Sequence, residues 1–305
     1  MTLTSLVALG VVLLAAPALP GLAARTVAVL TGRRGAPLLQ PYADLAKWLG
    51  KGAVYSTTTS GVFRAGPLVL VATAALAACL LPLDGRRALA GFSGDMVAFA
   101  TLLACGRFAL TLAALDTGSS FEGMGASREL SFGALVEPAL FLGFGALALT
   151  TGSLSLTGMF GAPLARAWPQ ASATLVMIAV SLFVLLLAEA GRVPVDDPAT
   201  HLELTMVHEV AVLDHGGPDL AFVFYAGALR FALFGALIVG VMLPRDRLGG
   251  PAAIALLVVG LAAVAVLVGV VESMRARLRL LHVPQLLLAA AALSALGLLL
   301  RVMRP

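Results

Sequence analysis

Residues 251–271 read PAAIALLVVGLAAVAVLVGVV, a run without a single charged residue. A helix of about 20 mostly apolar residues is long enough to cross the hydrocarbon core of a bilayer. Across all 305 residues, 60% are hydrophobic and 12% are charged, whereas a soluble domain carries about 25% charged residues. The composition excludes soluble globular, disordered and collagen-like chains, and it predicts an all-α polytopic membrane protein.

Seven further segments have the length and composition of spanning helices. Together with the first, the eight segments cover about residues 2–24, 67–83, 92–115, 130–150, 171–190, 219–243, 251–271 and 282–303. The opening segment is interpreted as a membrane helix and not as a signal peptide, because no basic residue precedes Arg25. We therefore expect a single integral membrane domain over residues 1–305.

An even number of spans puts four connections on the same side of the membrane. These connections are residues 25–66, 116–129, 191–218 and 272–281. They hold eleven Lys and Arg residues, against seven on the opposite side. The positive-inside rule then places the four connections in the cytoplasm and the N-terminus outside.

Acidic residues gather in two of these cytoplasmic connections and at their borders. Of sixteen Asp and Glu residues, ten lie in these two stretches: Asp116, Glu122, Glu129, Glu189, Asp196, Asp197, Glu203, Glu209, Asp214 and Asp219. Acidic residues contribute little to membrane topology, so orientation does not explain the clustering. The pattern indicates a carboxylate-rich cytoplasmic patch next to the bilayer.

The connection between spans five and six is expected to contain an amphipathic helix. Asp197 followed by Pro198 is a typical helix start, and Gly216 with Gly217 is a typical helix end. Within this stretch, three histidines recur every seven residues, at positions 201, 208 and 215. Such spacing holds side chains about 10 Å apart along a helix, which favours packing and hydrogen bonding over a zinc site. No metal site is predicted, and His201 and His208 are candidates for titration.

Glu137 lies about seven residues inside the predicted fourth span. A charged side chain within a membrane normally faces a partner or a water-filled cavity, and it usually has a function. This position favours a role in proton relay. The alternative is a structural ion pair with Arg107 or Arg230, the two basic residues that fall within predicted spans.

The sequence has no cysteine motif that would bind a redox cofactor. Its two cysteines, Cys79 and Cys105, both lie in apolar runs, and no CxxC pair occurs. Iron–sulfur clusters and c-type haems need such cysteine frames. The net charge of +4 without a long basic run also argues against nucleic acid as a partner. If the protein takes part in electron transfer, another chain must carry the electrons.

Several linked motifs resemble one family. They are Arg33-Arg34-Gly35, LDTGS at 115–119, GASRE at 125–129, Glu137-Pro138, and Glu189 followed by Arg192, Pro194 and Asp196. These motifs resemble the membrane-anchor subunit (the NADH dehydrogenase subunit 1 family) shared by respiratory complex I and complex-I-like energy-converting [NiFe] hydrogenases. LDTGS and GASRE are most similar to the formate hydrogenlyase type.

The resemblance implies a subunit without redox activity in an oxidoreductase complex of the cell inner membrane. Such a subunit joins the hydrogenase large and small subunits, which carry the nickel–iron and iron–sulfur centres, to antiporter-like proton-pumping subunits. It would hold no cofactor of its own, so whether to call it an enzyme stays open. Two alternatives also stay open: a quinone-site subunit of an NADH:quinone oxidoreductase, and an autonomous ion-coupled transporter. The lack of an evident internal repeat counts against the transporter.

The resemblance also implies which side chains act. Residues of the ion pathway would be Glu137, Arg128, Glu189, Arg192, Asp196, Glu203 and Arg107. Acids of the loop or of the docking face for the soluble arm would be Glu129, Asp197, Glu209 and Asp214. The sequence departs from the family at Ala199 and His201, where carboxylates are common. That departure makes His201 a candidate to take over a titrating role.

Overall fold

The computed structural model describes residues 3–196, 208–245, 248–275 and 278–303, and all regular structure within these ranges is helical. The α-helices are α1 (Leu3–Ala15), α2 (Ala18–Leu30), α3 (Gln40–Leu49), α4 (Gly61–Leu80), α5 (Asp95–Asp116), α6 (Ser120–Thr151), α7 (Leu156–Met159), α8 (Ala162–Glu189), α9 (Gly217–Met242), α10 (Gly250–Met274) and α11 (Val283–Met303). Two short 3-10 turns cover Val210–Val212 and Leu280–His282.

Seven of the described helices, namely α4, α5, α6, α8, α9, α10 and α11, are long and apolar enough to cross a membrane. The pair α1 and α2 makes an eighth if it is counted as one bent span. The prediction of an all-α membrane protein with about eight spans is therefore confirmed.

The first span is broken and does not form the single helix expected over residues 2–24. Helix α1 ends at Ala15 and α2 begins at Ala18, with a bend of 46° between them. Pro17 lies at the break. A proline in a helix interior lacks an N–H donor and its ring clashes with the preceding turn, which accounts for the bend. The second half then continues to Leu30, beyond the predicted end at residue 24.

The fourth span begins ten residues before the position expected from its apolar run. Helix α6 starts at Ser120, so the predicted connection 116–129 shrinks to the three residues between α5 and α6. The sequence pattern was misleading because Glu122 and Glu129 look like solvent-facing residues, whereas both are buried. Glu122 accepts a hydrogen bond from the backbone N–H of Asp214 at 2.9 Å. A polar partner from a distant segment thus allows α6 to begin in the protein interior.

The connection after α8 differs from the predicted amphipathic helix where it is described. Residues 210–212 form a 3-10 turn, and Gly216 caps the start of α9 where a helix end was expected. Pro218 occupies the first turn of α9, a position that suits a residue without an N–H. The predicted helix start at Asp197 and Pro198, together with His201 and Glu203, lies outside the described residues.

The described end of this connection packs closely against α6. A Cβ atom at Gly125 would lie 2.6 Å from the backbone nitrogen of Ala211, so a side chain is excluded there. Helix α9 packs against α4, α8 and α10 and is largely buried. This arrangement places Arg230 of α9 in the protein interior.

Candidate functional site

Arg107 on α5 is the centre of a buried ionic network. Its guanidinium contacts three carboxylates: Glu129 (Nε to Oε1, 3.5 Å), Glu137 (Nη1 to Oε1, 2.9 Å) and Glu189, to which Nη2 donates. A guanidinium presents five N–H donors in a fixed planar fork. Because each of the three carboxylates takes a different nitrogen, the orientation of Arg107 is fixed from three directions.

The carboxylates of α6 flank a glycine that makes room for this guanidinium. Glu129, Gly133 and Glu137 are spaced four residues apart, so they share one face of α6. A Cβ atom at Gly133 would lie 2.9 Å from Cδ and 3.0 Å from Cζ of Arg107. The absence of a side chain at this position lets the Arg107 side chain lie directly against the helix.

We expect Gly133→Ala to destabilise the protein by about 1–3 kcal/mol, as overpacking of an interior does. Arg107 cannot move aside without giving up its contacts with Glu129, Glu137 or Glu189. The matched control is Gly123→Ala on the same helix, where a Cβ meets nothing within 4 Å. The thermal unfolding midpoint of the purified protein should fall for Gly133→Ala alone. Equal midpoints for the two variants would contradict this interpretation.

Glu189, at the end of α8, joins Arg107 to a second buried arginine. Its Oε2 lies 3.3 Å from Nη1 of Arg230, and Nη2 of Arg230 donates to the carbonyl oxygen of Leu103 at 3.0 Å. One carboxylate therefore stabilises two guanidinium groups in the interior. This agrees with the rule that buried charges are paired and hydrogen-bonded.

His208 extends the network toward the connection between α8 and α9. Its Nε2 lies 3.4 Å from Oε2 of Glu129, and its Nδ1 lies 3.6 Å from Oδ2 of Asp196. The same Asp196 oxygen accepts the backbone N–H of His208 at 3.1 Å. Burial alone would lower the pKa of His208, but Glu129 and Asp196 outweigh it and raise the pKa from 6.5 to about 9. The imidazole is therefore a cation at neutral pH.

The network has a buried middle and two accessible ends. The side chains of Arg107, Glu129, Glu189, Asp196 and Arg230 are each 10% exposed or less. By contrast, Glu137 is 40% exposed and His208 is 31% exposed. Consecutive contacts run from His208 through Glu129 and Arg107 to Glu137.

A cavity of about 340 Å³ opens beside the His208 end. Its polar wall includes Glu129, Glu189, Asp196, His208 and Arg230. The rest of the lining is largely apolar and includes Pro17, Leu45, Trp48, Phe224 and Phe231. Trp48 of the short helix α3 lies against Phe224 of α9, with ring centroids 4.6 Å apart. The break at Pro17 and the helix α3 thus form part of the cavity wall.

The structure also describes the predicted residues Arg192, Glu209 and Arg128. Arg192 is 3.5 Å from Glu272 of α10 and lines the cavity together with Glu209. The Arg128 guanidinium contacts the Met124 sulfur on the same helix at 2.9 Å.

Asp197, His201 and Glu203 lie outside the described residues. The ion pair between Glu137 and Arg107, which the sequence left open as an alternative, is present in the structure.

Arg230 is a site residue that the sequence indicates only as a possible ion-pair partner for Glu137, whereas it pairs with Glu189. The signal was an arginine within an otherwise apolar span, which points to a buried partner. Within the described ranges, no group of three or more His, Cys, Asp or Glu side chains is placed to hold a metal ion.

A family model described as NADH dehydrogenase matches residues 3–303. The chain belongs to the NADH dehydrogenase family. The resemblance seen in the linked sequence motifs is therefore confirmed, and the matched range includes the residues of the ionic network.

Three individual relatives belong to named complexes. The chain is 32% identical to hydrogenase-4 component C of Escherichia coli (strain K12) over 78% of its own length and 74% of the relative. It is 30% identical to formate hydrogenlyase subunit 4 of the same strain, over 89% of each chain. It is also 25% identical to an NADH-quinone oxidoreductase subunit of Rickettsia prowazekii (strain Madrid E), over 57% of its length and 51% of the relative.

The fold is shared with a solved assembly. A chain in the structure of the membrane-bound sulfane sulfur reductase, an archaeal respiratory membrane complex, matches with a TM-score of 0.84. The match covers 98% of both chains at 20% sequence identity. This member of the NADH dehydrogenase family is thus a multi-pass membrane protein whose relatives are components of multisubunit respiratory and hydrogenase complexes.

Proposed function

We propose that this chain is the membrane-anchor and ion-translocation-coupling subunit of a membrane-bound [NiFe] hydrogenase complex of the formate hydrogenlyase type. The observation that carries the proposal is the continuous ionic network from His208 to Glu137, in which only the two ends are accessible. The similarity to hydrogenase-4 component C and formate hydrogenlyase subunit 4 supports the choice of complex.

The arrangement suits a response to charge changes in a neighbouring subunit. Arg107 faces three carboxylates, and Arg230 and His208 add positive charge to the same network, so its net charge depends on how many carboxylates hold a proton. Electron transfer in a docked soluble arm changes the charge next to the cavity. Charges interact strongly in a low-dielectric interior, so this change in charge would shift the affinity of Glu137 and its neighbours for a proton.

The proposal assigns a partner to each accessible end. The hydrogenase large and small subunits, with the nickel–iron and iron–sulfur centres, would dock on the cytoplasmic face near Glu209, Asp214 and Asp197. Antiporter-like subunits would cover Glu137, because a half-exposed carboxylate within a spanning helix needs a polar neighbour or water. The chain itself would carry no cofactor. It would lie in the cell inner membrane with its N-terminus outside and its acidic connections in the cytoplasm.

A specific observation favours a second candidate, a quinone-site subunit of an NADH:quinone oxidoreductase. The lining of the cavity is largely apolar and also includes charged groups, which is the kind of site that takes an amphipathic small molecule. The similarity to the NADH-quinone oxidoreductase subunit of Rickettsia prowazekii points in the same direction. In that case a quinone would be a substrate bound in the cavity.

The test is purification of the tagged chain from native membranes in a gentle detergent, with an untagged strain as control. We expect a large assembly that contains nickel, iron–sulfur clusters and a subunit with cysteine ligands for nickel. An assembly with iron–sulfur clusters but no nickel, whose turnover depends on quinone, would favour the second candidate. A chain that purifies alone and transports ions by itself in liposomes would contradict both.

A further inference from the structure

His208 occupies a place that the fold builds around its ring. Glu129 approaches Nε2 from α6, and Asp196 approaches Nδ1 from the turn after α8. On a third side, Gly191 has a φ of +57° and no side chain. A Cβ atom there would lie 3.2 Å from Nδ1 and 3.3 Å from Cγ of His208. Residues on three sides therefore fix the position of one imidazole.

The ring lies where the network meets the cavity. His208 lines the cavity and is 31% exposed, whereas Glu129 and Asp196 on either side of it are 10% exposed or less. Nδ1 is buried, has no hydrogen-bond partner within the described residues and lies 3.6 Å from the Asp196 carboxylate. Because Nδ1 is closed to solvent, a proton that this ring exchanges with water in the cavity is exchanged at Nε2, while Glu129 and Asp196 are shielded.

The charged groups around His208 come from every element packed against it. Glu129 belongs to α6, Asp196 to the turn after α8, and Glu189 to the end of α8. Glu209 is the next residue in the chain. Arg107 and Arg230 lie one contact further away, on the far side of Glu129 and Glu189. The groups nearest to the imidazole are therefore acidic. The two arginines contact Glu129 and Glu189, two of these acidic residues.

We propose that His208 is the proton-exchanging entrance of the network, a role that rests on the proposed function. The protonated ring gives its Nε2 proton to Oε2 of Glu129: the N–H bond breaks, an O–H bond forms, and the electron pair stays on Nε2. The neutral ring, which keeps its proton on Nδ1, then takes a proton from water in the cavity onto Nε2, and a hydroxide ion stays in the water. One proton has then moved from the cavity to Glu129, and Arg107 faces one carboxylate charge fewer.

The test uses the whole membrane complex in sealed vesicles and measures ions moved per hydrogen molecule turned over. His208→Gln removes the titrating group, and His208→Lys keeps a cation that does not release its proton near neutral pH. The control is His282→Gln, at an exposed histidine in the turn before α11. We expect the ratio to fall at least tenfold in both His208 variants and to match the wild type in the control.

The pH profile separates a relay from a structural cation. In the wild type the ratio should decline as the pH rises through about 9, because the imidazolium is lost there. His208→Lys should assemble but pump poorly at every pH in this range. A wild-type ratio in assembled His208→Lys would overturn the inference, since a fixed charge would then suffice. If the wild-type vesicles themselves move no ions, it is the proposed function that fails.

Discussion

Replacing Arg107 with methionine is expected to prevent this chain from accumulating in an assembled complex. The substitution leaves Glu129 and Glu189 buried, and Glu137 partly buried, without their shared guanidinium. Removing one partner of a buried ion pair costs about 3–5 kcal/mol, because an uncompensated charge remains in the interior. Arg107 serves three carboxylates, so the effect should lie at the upper end of this range. The measurement is the amount of the chain in membranes and of the subunits that co-purify with it.

Two further variants make the result specific. Arg107→Lys keeps the charge but not the planar fork, so it should recover part of the assembly. Arg64→Met removes an exposed arginine that lies over the ring of Tyr55 at 4.2 Å, a contact worth about 0.5–1 kcal/mol at such sites. Arg64→Met should assemble normally. If Arg107→Met assembled as well as Arg64→Met, the network would have no structural importance.

The number of spans could be predicted from the sequence because it depends on local properties. Apolar runs of sufficient length identify the spanning helices, whatever their neighbours are. The break at Pro17 and the early start of α6 at Ser120 were missed, for different reasons. A single proline inside an apolar run signals a break only weakly, since membrane helices tolerate proline. The start of α6 depends on the hydrogen bond between Glu122 and the backbone N–H of Asp214, which is 92 residues away in the sequence.

For the site, too, the sequence indicates single residues but not the partners that are distant in the chain. Glu137 and Arg107 could be found because a charge within an apolar run is conspicuous in any sequence. Their partners could not all be paired in advance, since Glu189 is 82 residues from Arg107 and meets it only after α5, α6 and α8 have packed. The sequence predicts that His208 lies on one amphipathic helix with His201 and His215. In the described structure it contacts Glu129 and Asp196, which the seven-residue spacing of the histidines does not indicate.

Replacing Glu137 with glutamine is expected to lower the number of ions moved per hydrogen molecule at least tenfold. Glutamine keeps the shape of the side chain but cannot take up or release a proton. The fold should tolerate it, because Arg107 retains Glu129 and Glu189, and Glu137 is the most exposed of the three carboxylates. Glu137→Asp is the matched control, since it keeps a carboxylate at the same helix position and should retain much of the pumping.

The decisive measurement is ion uptake by sealed vesicles that contain the whole purified complex, recorded together with hydrogen turnover in the same sample. We predict that wild-type and Glu137→Asp vesicles build up an ion gradient during turnover, and that Glu137→Gln vesicles turn over hydrogen with little or no gradient. An equal gradient in Glu137→Gln vesicles at the same rate of turnover would contradict the claim that the carboxylates of this chain couple electron flow to ion movement.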